Sequence, residues 1–258
     1  MRTLLTDSLV LHAFAYRETS SIVRLATRGA GIVSAIARGA RRPRSRFSTA
    51  LDLFSSGVAQ LSLHPTRDLH SLVAFDLTRA RPELAGSLAR FRAASALAEL
   101  CLRFAKEDDS GRVHDAVVAL LDAIGAATGD AVPGVTLAGA WRVVAELGFA
   151  PALALCASCH APIPAPLEVT FHHRAGGALC ERCARLAEGG RRLPAPARRQ
   201  LAAWLSGGDA ALEDDATVRA HQRLLREFLE EHLGDGRALR AFLAWEDAGE
   251  GRPVPVPS

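Results

Sequence analysis

Short runs of alternating or β-branched apolar residues dominate the first eighty positions, with glycines and prolines between them. The runs lie at residues 9–11, 21–27, 31–36, 57–63 and 69–75. Alternation of apolar and polar positions is typical of strands with one buried face, and glycine or proline between runs indicates turns. Five short strands in so few residues predict a small closed barrel. The OB-fold, whose one face binds oligonucleotides, is the commonest five-stranded candidate.

The pattern changes to a helical period at Pro82, which is expected in the first turn of a helix that continues to Cys101. Apolar residues then recur every three or four positions in six segments: 84–101, 113–124, 137–147, 196–205, 218–233 and 237–245. The fold class predicted is therefore α+β and multidomain. Residues 1–80 are expected to form the barrel, and residues 81–248 a helical domain. Residues 249–258, with three prolines, are expected to be disordered.

Two Cys-x-x-Cys pairs interrupt the helical pattern: Cys156 with Cys159, and Cys180 with Cys183. Their spacing is typical of a four-thiolate zinc site that closes tetrahedrally around one ion. The intervening segment contains three prolines and a glycine pair, so it cannot form a long helix, and a zinc ribbon is expected over 153–187. The Zn²⁺ ion is expected to be structural, because four thiolates leave no open coordination position.

Two disulfides or idle thiols are the alternatives for these cysteines. Disulfides need an oxidising compartment, and the chain shows no pattern typical of export. His160, His172 and His173 are substitute ligands by residue type, but four cysteines leave no vacancy for them. Cys101 is expected to be a buried structural thiol on a helix. Three nearby arginines can offset the negative charge of a zinc–thiolate centre: Arg174, Arg182 and Arg185.

Charge is distributed unevenly along the chain, although the net charge is only +3. Residues 1–80 contain eleven arginines and five acidic residues, whereas the remainder contains 20 basic and 23 acidic residues. Lys106 is the single lysine, so nearly every positive charge is a guanidinium, which stays protonated and binds phosphate bidentately. The first domain is therefore expected to bind an anionic partner.

The densest positive charge lies at residues 38–46, where five arginines fall within nine residues. Gly39 and Pro43 favour a loop, and no acidic residue occurs between Glu18 and Asp52. A solvated charge run is the alternative, but like-charge repulsion of this strength is normally relieved by an anion. We therefore predict an electrostatic groove for a sugar-phosphate backbone. The predicted DNA-binding residues are Arg24, Arg28, Arg38, Arg41, Arg42, Arg44 and Arg46.

Aromatic residues are few in the barrel segment: Phe14, Tyr16, Phe47, Phe54 and Phe75. Several must fill the barrel core. Tyr16 and Phe47 are the best candidates for exposure, although packing is favoured for each of them. With so few platforms for base stacking, we expect backbone binding with little sequence preference, on both single and double strands.

No catalytic constellation is recognisable in the sequence, which lacks both a phosphate-binding G-x-x-x-x-G-K motif and a G-x-S-x-G elbow. The protein is therefore expected not to be an enzyme. The acidic clusters 107–109 and 213–215 are interpreted as solvated helix ends. Two alternatives stay open: a scaffold whose helical domain assembles protein partners, with incidental DNA binding, and a zinc-ribbon nucleic-acid enzyme. The longest uncharged stretch, 147–167, contains four prolines, so a membrane span is rejected and a cytoplasmic location expected.

These features together resemble the RecO family of bacterial recombination mediators over nearly the full chain. In the barrel, the resemblance rests on segments 8–11, 16–18, 22–27 and 39–47, the last including Gly39-Ala40-Arg41-Arg42 and Ser45-Arg46-Phe47. In the second part it rests on Leu147-Gly148-Phe149-Ala150-Pro151 before the first cysteine pair and Gly176-Gly177 before the second. One departure is His160, which follows Cys159 where many zinc hooks place glycine.

The resemblance implies an N-terminal OB-fold, a helical domain with a zinc-binding element and a non-enzymatic role in DNA repair and recombination. Family members bind single- and double-stranded DNA, anneal complementary strands and contact the acidic C-terminal tail of single-strand-binding protein (SSB). With RecR, and with RecF in some settings, they help load RecA onto SSB-coated DNA in the RecFOR pathway. The implied location is cytoplasmic and nucleoid-associated. Five arginines are conceivable beside the SSB-tail pocket: Arg103, Arg112, Arg142, Arg219 and Arg223.

Overall fold

The computed structural model describes residues 2–47, 50–104, 111–165, 167–208, 212, 214–233 and 237–247. The predicted tail 249–258, the acidic cluster 107–109 and Glu213 lie outside these ranges. The chain divides into two compact units, Met1–Ala126 and Ala127–Ser258. None of the helices in the described ranges combines the length and the apolar character needed to cross a bilayer.

The first unit begins with a closed five-stranded barrel, as predicted. Its strands are β1 Arg2–Tyr16, β2 Ser20–Thr27, β3 Gly31–Ala37, β4 Ser56–Leu63 and β5 Leu69–Arg79. They follow the order β1-β2-β3-β5-β4, and β1 pairs with β4 to close the barrel. All pairs are antiparallel except β3 with β5. This is an OB-fold.

Strand β1 is much longer than the predicted run 9–11. Its first half pairs with β4 and its second half with β2, with a bulge between Val10 and His12. The polar residues Thr6 and Asp7 break the apolar run in sequence, but they lie on a strand whose backbone is fully paired. A bulge bends a strand and re-aims its side chains, so one strand serves both sides of the barrel.

The barrel core is built from alanine, valine and leucine side chains, together with Phe75 and Phe47. Phe47 is 2% exposed, so it packs in the core, which the sequence analysis favoured over exposure. Phe14, which was not singled out, is 43% exposed, and Tyr16 is half-buried. The loop after β3 returns Phe47 to the core, and burial of a phenyl ring contributes about 2–3 kcal/mol. A sequence pattern cannot show such a return.

Three helices complete the first unit: α1 Pro82–Ala85, α2 Leu88–Phe104 and α3 Arg112–Ala126. The single helix expected from Pro82 to Cys101 is therefore wrong. Gly86 ends α1, and the Ser87 hydroxyl accepts a hydrogen bond from the Arg90 N–H in the first turn of α2 (3.5 Å). Serine offers the backbone a cap in place of continued helix, so a break at this point is favoured. Cys101 is buried, as predicted.

In its described residues, the second unit combines five α-helices with a small sheet. Its elements are α4 Val132–Glu146, β6 Val169–His172, β7 Gly177–Leu179, α5 Glu181–Leu186, β8 Arg191–Leu193, α6 Ala195–Leu205, α7 Asp215–Leu233 and α8 Arg240–Glu246, with a 3₁₀ turn at Gly129–Ala131. The sheet order is β7-β6-β8. The predicted helices are confirmed, with ends shifted by a few residues. Asp214 caps α7 by accepting the Thr217 N–H (2.7 Å), which confirms the helix-end interpretation of this acid.

A buried arginine of α6 fixes the segment that carries the first cysteine pair. The guanidinium of Arg198 donates five hydrogen bonds of 2.6–3.1 Å to four backbone carbonyls. The carbonyls belong to Leu153, Ile163, Pro164 and Leu167. Buried carbonyls without secondary-structure partners need another hydrogen-bond donor. The five N–H donors of one arginine side chain can serve all four of these carbonyls.

Candidate nucleic-acid interface and metal centre

The arginine loop between β3 and β4 is a succession of tight turns, which confirms the predicted loop. The Arg42 N–H donates to the Gly39 carbonyl (3.1 Å), and the Ser45 N–H donates to the Arg42 carbonyl (3.0 Å). Gly39 and Arg44 have positive φ angles of 73° and 58°. These turns separate neighbouring guanidiniums, and all five arginines of the loop, Arg38, Arg41, Arg42, Arg44 and Arg46, are exposed.

The loop forms an open groove together with the turn between β1 and β2. Arg38 and Arg42 line a cavity of about 780 Å³ that also includes Arg17 and Ile36. The Arg41 N–H donates to the Thr19 carbonyl (2.9 Å) and so holds the loop against this turn. Three guanidinium groups from two loops therefore surround one concavity, which we call the arginine groove.

Arg17 is the groove residue that the sequence analysis missed. Its φ angle is 54°, and its guanidinium carbon lies 5.3 Å from the centroid of the Tyr16 ring. Glu18 follows it in the sequence and lines the same cavity. Its position in the turn between two predicted strands of the barrel is the sequence feature that could have identified it.

Glu18 also lines the groove, but among the described residues it forms no ion pair with the groove arginines. No ion pair within 4.0 Å joins Arg17 or any of the five loop arginines to a carboxylate of the described ranges. Arg46 instead lies over the Phe47 ring at 5.1 Å. Such a set of guanidiniums is suited to binding phosphate groups.

Arg24 and Arg28 are not grouped with the loop arginines. Arg28 follows the end of β2 opposite to the groove and pairs with Asp115 of α3 (2.6 Å) and Asp7 of β1 (3.7 Å). Arg24 is half-buried and donates to the Leu102 carbonyl of α2 (3.4 Å). Burial lowers the pKa of Arg24 below its usual value. Both side chains connect the barrel to its helices, and a count of charges along the sequence cannot reveal these distant partners.

The four predicted cysteine ligands come together in the second unit. Cys156 and Cys159 precede β6, Cys180 lies at the N-terminus of α5, and Cys183 lies within α5. Their Sγ atoms all lie within 4.8 Å of one another, and Cys159 Sγ is 3.7 Å from Cys180 Sγ. A disulfide bond would require about 2.05 Å, so none of the four is in a disulfide.

This spacing fits a tetrahedral metal ion. Zinc–sulfur bonds of about 2.3 Å place neighbouring thiolates about 3.8 Å apart, close to the distance between Cys159 and Cys180. Gly177 helps to hold the arrangement, because a Cβ at this position would lie 2.2 Å from the Ala152 carbonyl oxygen. His160 has a φ angle of 59°, the conformation for which glycine is the usual choice at this turn.

The electrostatics of the cluster favour thiolate at Cys156. Burial acts to raise the pKa of this thiol, but backbone N–H groups of Cys180, Cys159 and Ser158 outweigh burial and lower it to about 6. The pKa of Cys183 is raised to about 11 by its hydrogen bonds to Cys159 and Cys180. Four thiolates cannot accumulate without a cation, whereas a divalent ion removes this restriction.

Of the three arginines expected beside the cluster, only Arg182 faces it. The charges of Cys159 and Cys183 raise the pKa of Arg182. Arg174 instead pairs with Glu231 (2.9 Å), and Arg185 pairs with Glu181 (2.8 Å). Sequence proximity to a ligand therefore did not determine the ion-pair partner.

A second cavity, of about 570 Å³, lies between β8, α6 and α7. Its walls include Leu193, Pro196 and Leu224, and Arg191 and Arg192 also line it. The five arginines considered for an SSB-tail pocket are not part of this lining. His221 lines it as well and is 2% exposed, with its ring 4.7 Å from that of Trp204.

Comparison with known proteins assigns both parts of the chain to one family. The family profile described as "Recombination protein O N terminal" matches residues 1–81, and "Recombination protein O C terminal" matches residues 85–240. The chain belongs to the RecO family. It is 35% identical over 243 residues to "DNA repair protein RecO" of Anaeromyxobacter sp. (strain Fw109-5), covering 91% of this chain and 93% of that protein. Proteins of the same description from Anaeromyxobacter sp. (strain K) and Anaeromyxobacter dehalogenans (strain 2CP-1 / ATCC BAA-258) are each 36% identical with the same coverage.

Proposed function

We propose that this protein is a non-enzymatic mediator of DNA repair and recombination that binds single- and double-stranded DNA and anneals complementary strands. The observation that carries the proposal is the arginine groove of the OB-fold, whose guanidiniums have no carboxylate partner among the described residues. Membership of the RecO family gives the biological setting. In that setting, the protein acts with RecR, and with RecF where present, to load RecA onto single strands covered by SSB.

The groove suits annealing for an electrostatic reason. Two complementary strands repel each other through their phosphates, and each phosphate bound by an arginine releases condensed counterions. The gain in counterion entropy drives binding, and neutralised phosphates let the strands approach. Four to five phosphate contacts give a slope of log affinity against log salt of about −3 for single strands, at about −0.7 per contact.

We further propose that the cysteine cluster holds one structural Zn²⁺ ion. Cys156, Cys159, Cys180 and Cys183 would supply all four ligands, with Arg182 offsetting the excess negative charge. A closed tetrathiolate site leaves no position for substrate. Its role is therefore to stabilise the second unit rather than to bind DNA.

The cavity between β8, α6 and α7 is our proposed site for the acidic, hydrophobic-ended tail of SSB. Its walls combine apolar residues with Arg191 and Arg192, and Arg192, whose side chain is 79% exposed, would exchange its ion pair with Glu168 for the acidic tail. Ala197→Trp, which fills this cavity, should weaken binding of a synthetic SSB-tail peptide more than tenfold, whereas Ala202→Trp on the exposed face of the same helix should not. Equal affinity of both variants for the peptide would reject this site.

The proposed mediator role is tested by annealing of complementary oligonucleotides with the full chain. The Arg38→Ala, Arg41→Ala, Arg42→Ala triple variant should slow annealing and lower affinity for single strands about 100-fold at 0.1 M salt, since each phosphate contact contributes about 0.7 log units there. RecA loading on SSB-coated strands with RecR should fall in parallel. Unchanged annealing and affinity in the folded variant would favour the scaffold alternative, in which DNA binding is incidental.

A further inference from the structure

The outer face of the barrel presents an aligned row of three ring side chains on β1. His12, Phe14 and Tyr16 alternate with Ala13 and Ala15, and Ala13 packs against the barrel core. Since successive side chains of a strand point to opposite faces, the three rings share the outer face. The His12 and Phe14 ring centroids lie 5.6 Å apart, and Phe14 is 43% exposed. We call this set the aromatic row.

The aromatic row is continuous with the arginine groove across the sheet. Phe14 is the register partner of Ile22 on β2, and Ile22 is the register partner of Ile36 on β3. Ile36 lines the groove together with Arg38. At the end of the row, the guanidinium of Arg17 lies over the Tyr16 ring and also lines the groove. One surface therefore joins exposed rings to unpaired positive charges.

We propose that the aromatic row stacks against the bases of single-stranded DNA whose phosphates lie in the arginine groove, and that this stacking adds affinity for single strands that duplex DNA does not gain. The proposal rests on the DNA-binding function proposed above and adds base contacts to it. A lone exposed phenylalanine is ordinary on a protein surface. Three aligned rings beside unpaired guanidiniums instead match the two parts of a single-strand site: stacking platforms and a charged track.

The spacing of the rings excludes stacked duplex. Residues two apart on a strand are separated by about 6.6 Å, whereas successive bases in a duplex are about 3.4 Å apart. The faces of paired bases are covered by their neighbours, so the rings can reach bases only in a strand whose stack has been opened. Duplex DNA would therefore use the arginines alone. This separates the two contributions: charge holds either form of DNA, and the rings hold only the single strand.

The test compares Phe14→Leu with Phe14→Trp in the full chain, because leucine keeps an apolar side chain of similar bulk and tryptophan keeps a ring. Three probes of equal length and salt are used: a thymidine oligonucleotide, the same oligonucleotide with abasic sites, and a duplex. Leu5→Ala is the matched control, since Leu5 is an apolar residue on the same strand that is 68% exposed. Stacking on one aromatic residue contributes roughly 5- to 150-fold in affinity.

We expect Phe14→Leu to weaken binding of the thymidine strand at least about fivefold, with the salt slope unchanged because no phosphate contact is lost. Affinity for the abasic strand and for duplex should stay within about twofold of the parent chain, and Phe14→Trp should retain tight binding. An unchanged affinity of Phe14→Leu for the thymidine strand would overturn the inference. An equal loss on the abasic strand or the duplex would also overturn it, because the side chain would then act through the barrel's structure. If the parent chain binds none of the three probes, the proposed DNA-binding function itself fails.

Discussion

The arginines of the loop between β3 and β4 differ from those near the cysteine cluster in whether a carboxylate pairs with them. Near the cluster, Arg174, Arg185 and Arg192 each form an ion pair with a glutamate. In the loop, the arginines have no such partner among the described residues, although their exposure is similar. The comparison shows that arginine content does not identify a nucleic-acid surface. The useful signal is a cluster of exposed arginines that form no ion pair with a carboxylate of the described residues.

The same distinction holds within the barrel. Arg28, like Arg42, is an arginine of the basic first domain, yet two carboxylates hold it against the fold. Arg42 lines an open groove. A positive charge paired within the chain must lose that pair to bind phosphate, so it contributes less to DNA affinity than an unpaired one.

The largest effect is expected from the cysteine cluster. Cys156→Ser with Cys180→Ser should destabilise the second unit by more than about 4 kcal/mol, because metal binding and folding are linked. All three tryptophans, Trp141, Trp204 and Trp245, belong to this unit, so tryptophan fluorescence during urea unfolding measures it selectively. DNA affinity should persist. Loss of DNA binding in a folded, metal-free variant would show that DNA binding by the barrel depends on the cysteine cluster.

Arg198 provides the next largest effect. Arg198→Met should lower the unfolding free energy of the second unit by about 3 kcal/mol, since four carbonyls lose a charged donor. Arg199→Met is the matched control, because Arg199 is the exposed neighbour on the same helix. Urea unfolding followed by tryptophan fluorescence measures both. Equal stability of the two variants would show that the segment carrying the first cysteine pair does not depend on the hydrogen bonds of Arg198.

Acid should weaken the second unit through His221. Burial lowers the pKa of His221 to about 4, whereas the unfolded chain has an ordinary histidine pKa of about 6.5. Between these values the unfolded state binds more protons, so stability falls as the pH falls from 6.5 to 4, by roughly 3 kcal/mol. His221→Phe keeps the ring against Trp204 and removes the titration. The pH dependence should therefore shrink by that amount relative to the parent chain; identical pH profiles would contradict this account.

The smallest effect separates a paired from an unpaired arginine. Arg28→Ala should change affinity for single strands less than twofold, whereas Arg42→Ala should reduce it about fivefold at 0.1 M salt. Arg28→Ala should cost the first unit about 0.5 kcal/mol, because exposed ion pairs contribute little. Fluorescence anisotropy with a labelled oligonucleotide measures the affinities. A larger loss from Arg28→Ala than from Arg42→Ala would return Arg28 to the DNA interface.

Periodicity predicted the architecture well because it reports burial directly. Apolar runs marked at least part of every barrel strand, and the spacing of the four cysteines marked the cluster that they form. The features that the sequence did not predict depend on contacts between distant segments. Phe47 returns to the core from a loop, the paired ends of β1 carry polar residues, and the acid partners of Arg28 come from β1 and α3. Arg17 joins the groove only because two separate turns meet.

The central claim is that DNA binds to the unpaired arginines of the barrel and not to basic residues in general. Two triple variants test it with the same change in net charge, from +3 to 0. One replaces Arg38, Arg41 and Arg42 with alanine, and the other replaces Arg174, Arg185 and Arg192. The measurement is the slope of log affinity for a single strand against log salt. The slope should fall in magnitude from about 3 to about 1 in the loop variant and stay near 3 in the ribbon variant. Equal slopes in the two variants would contradict the claim.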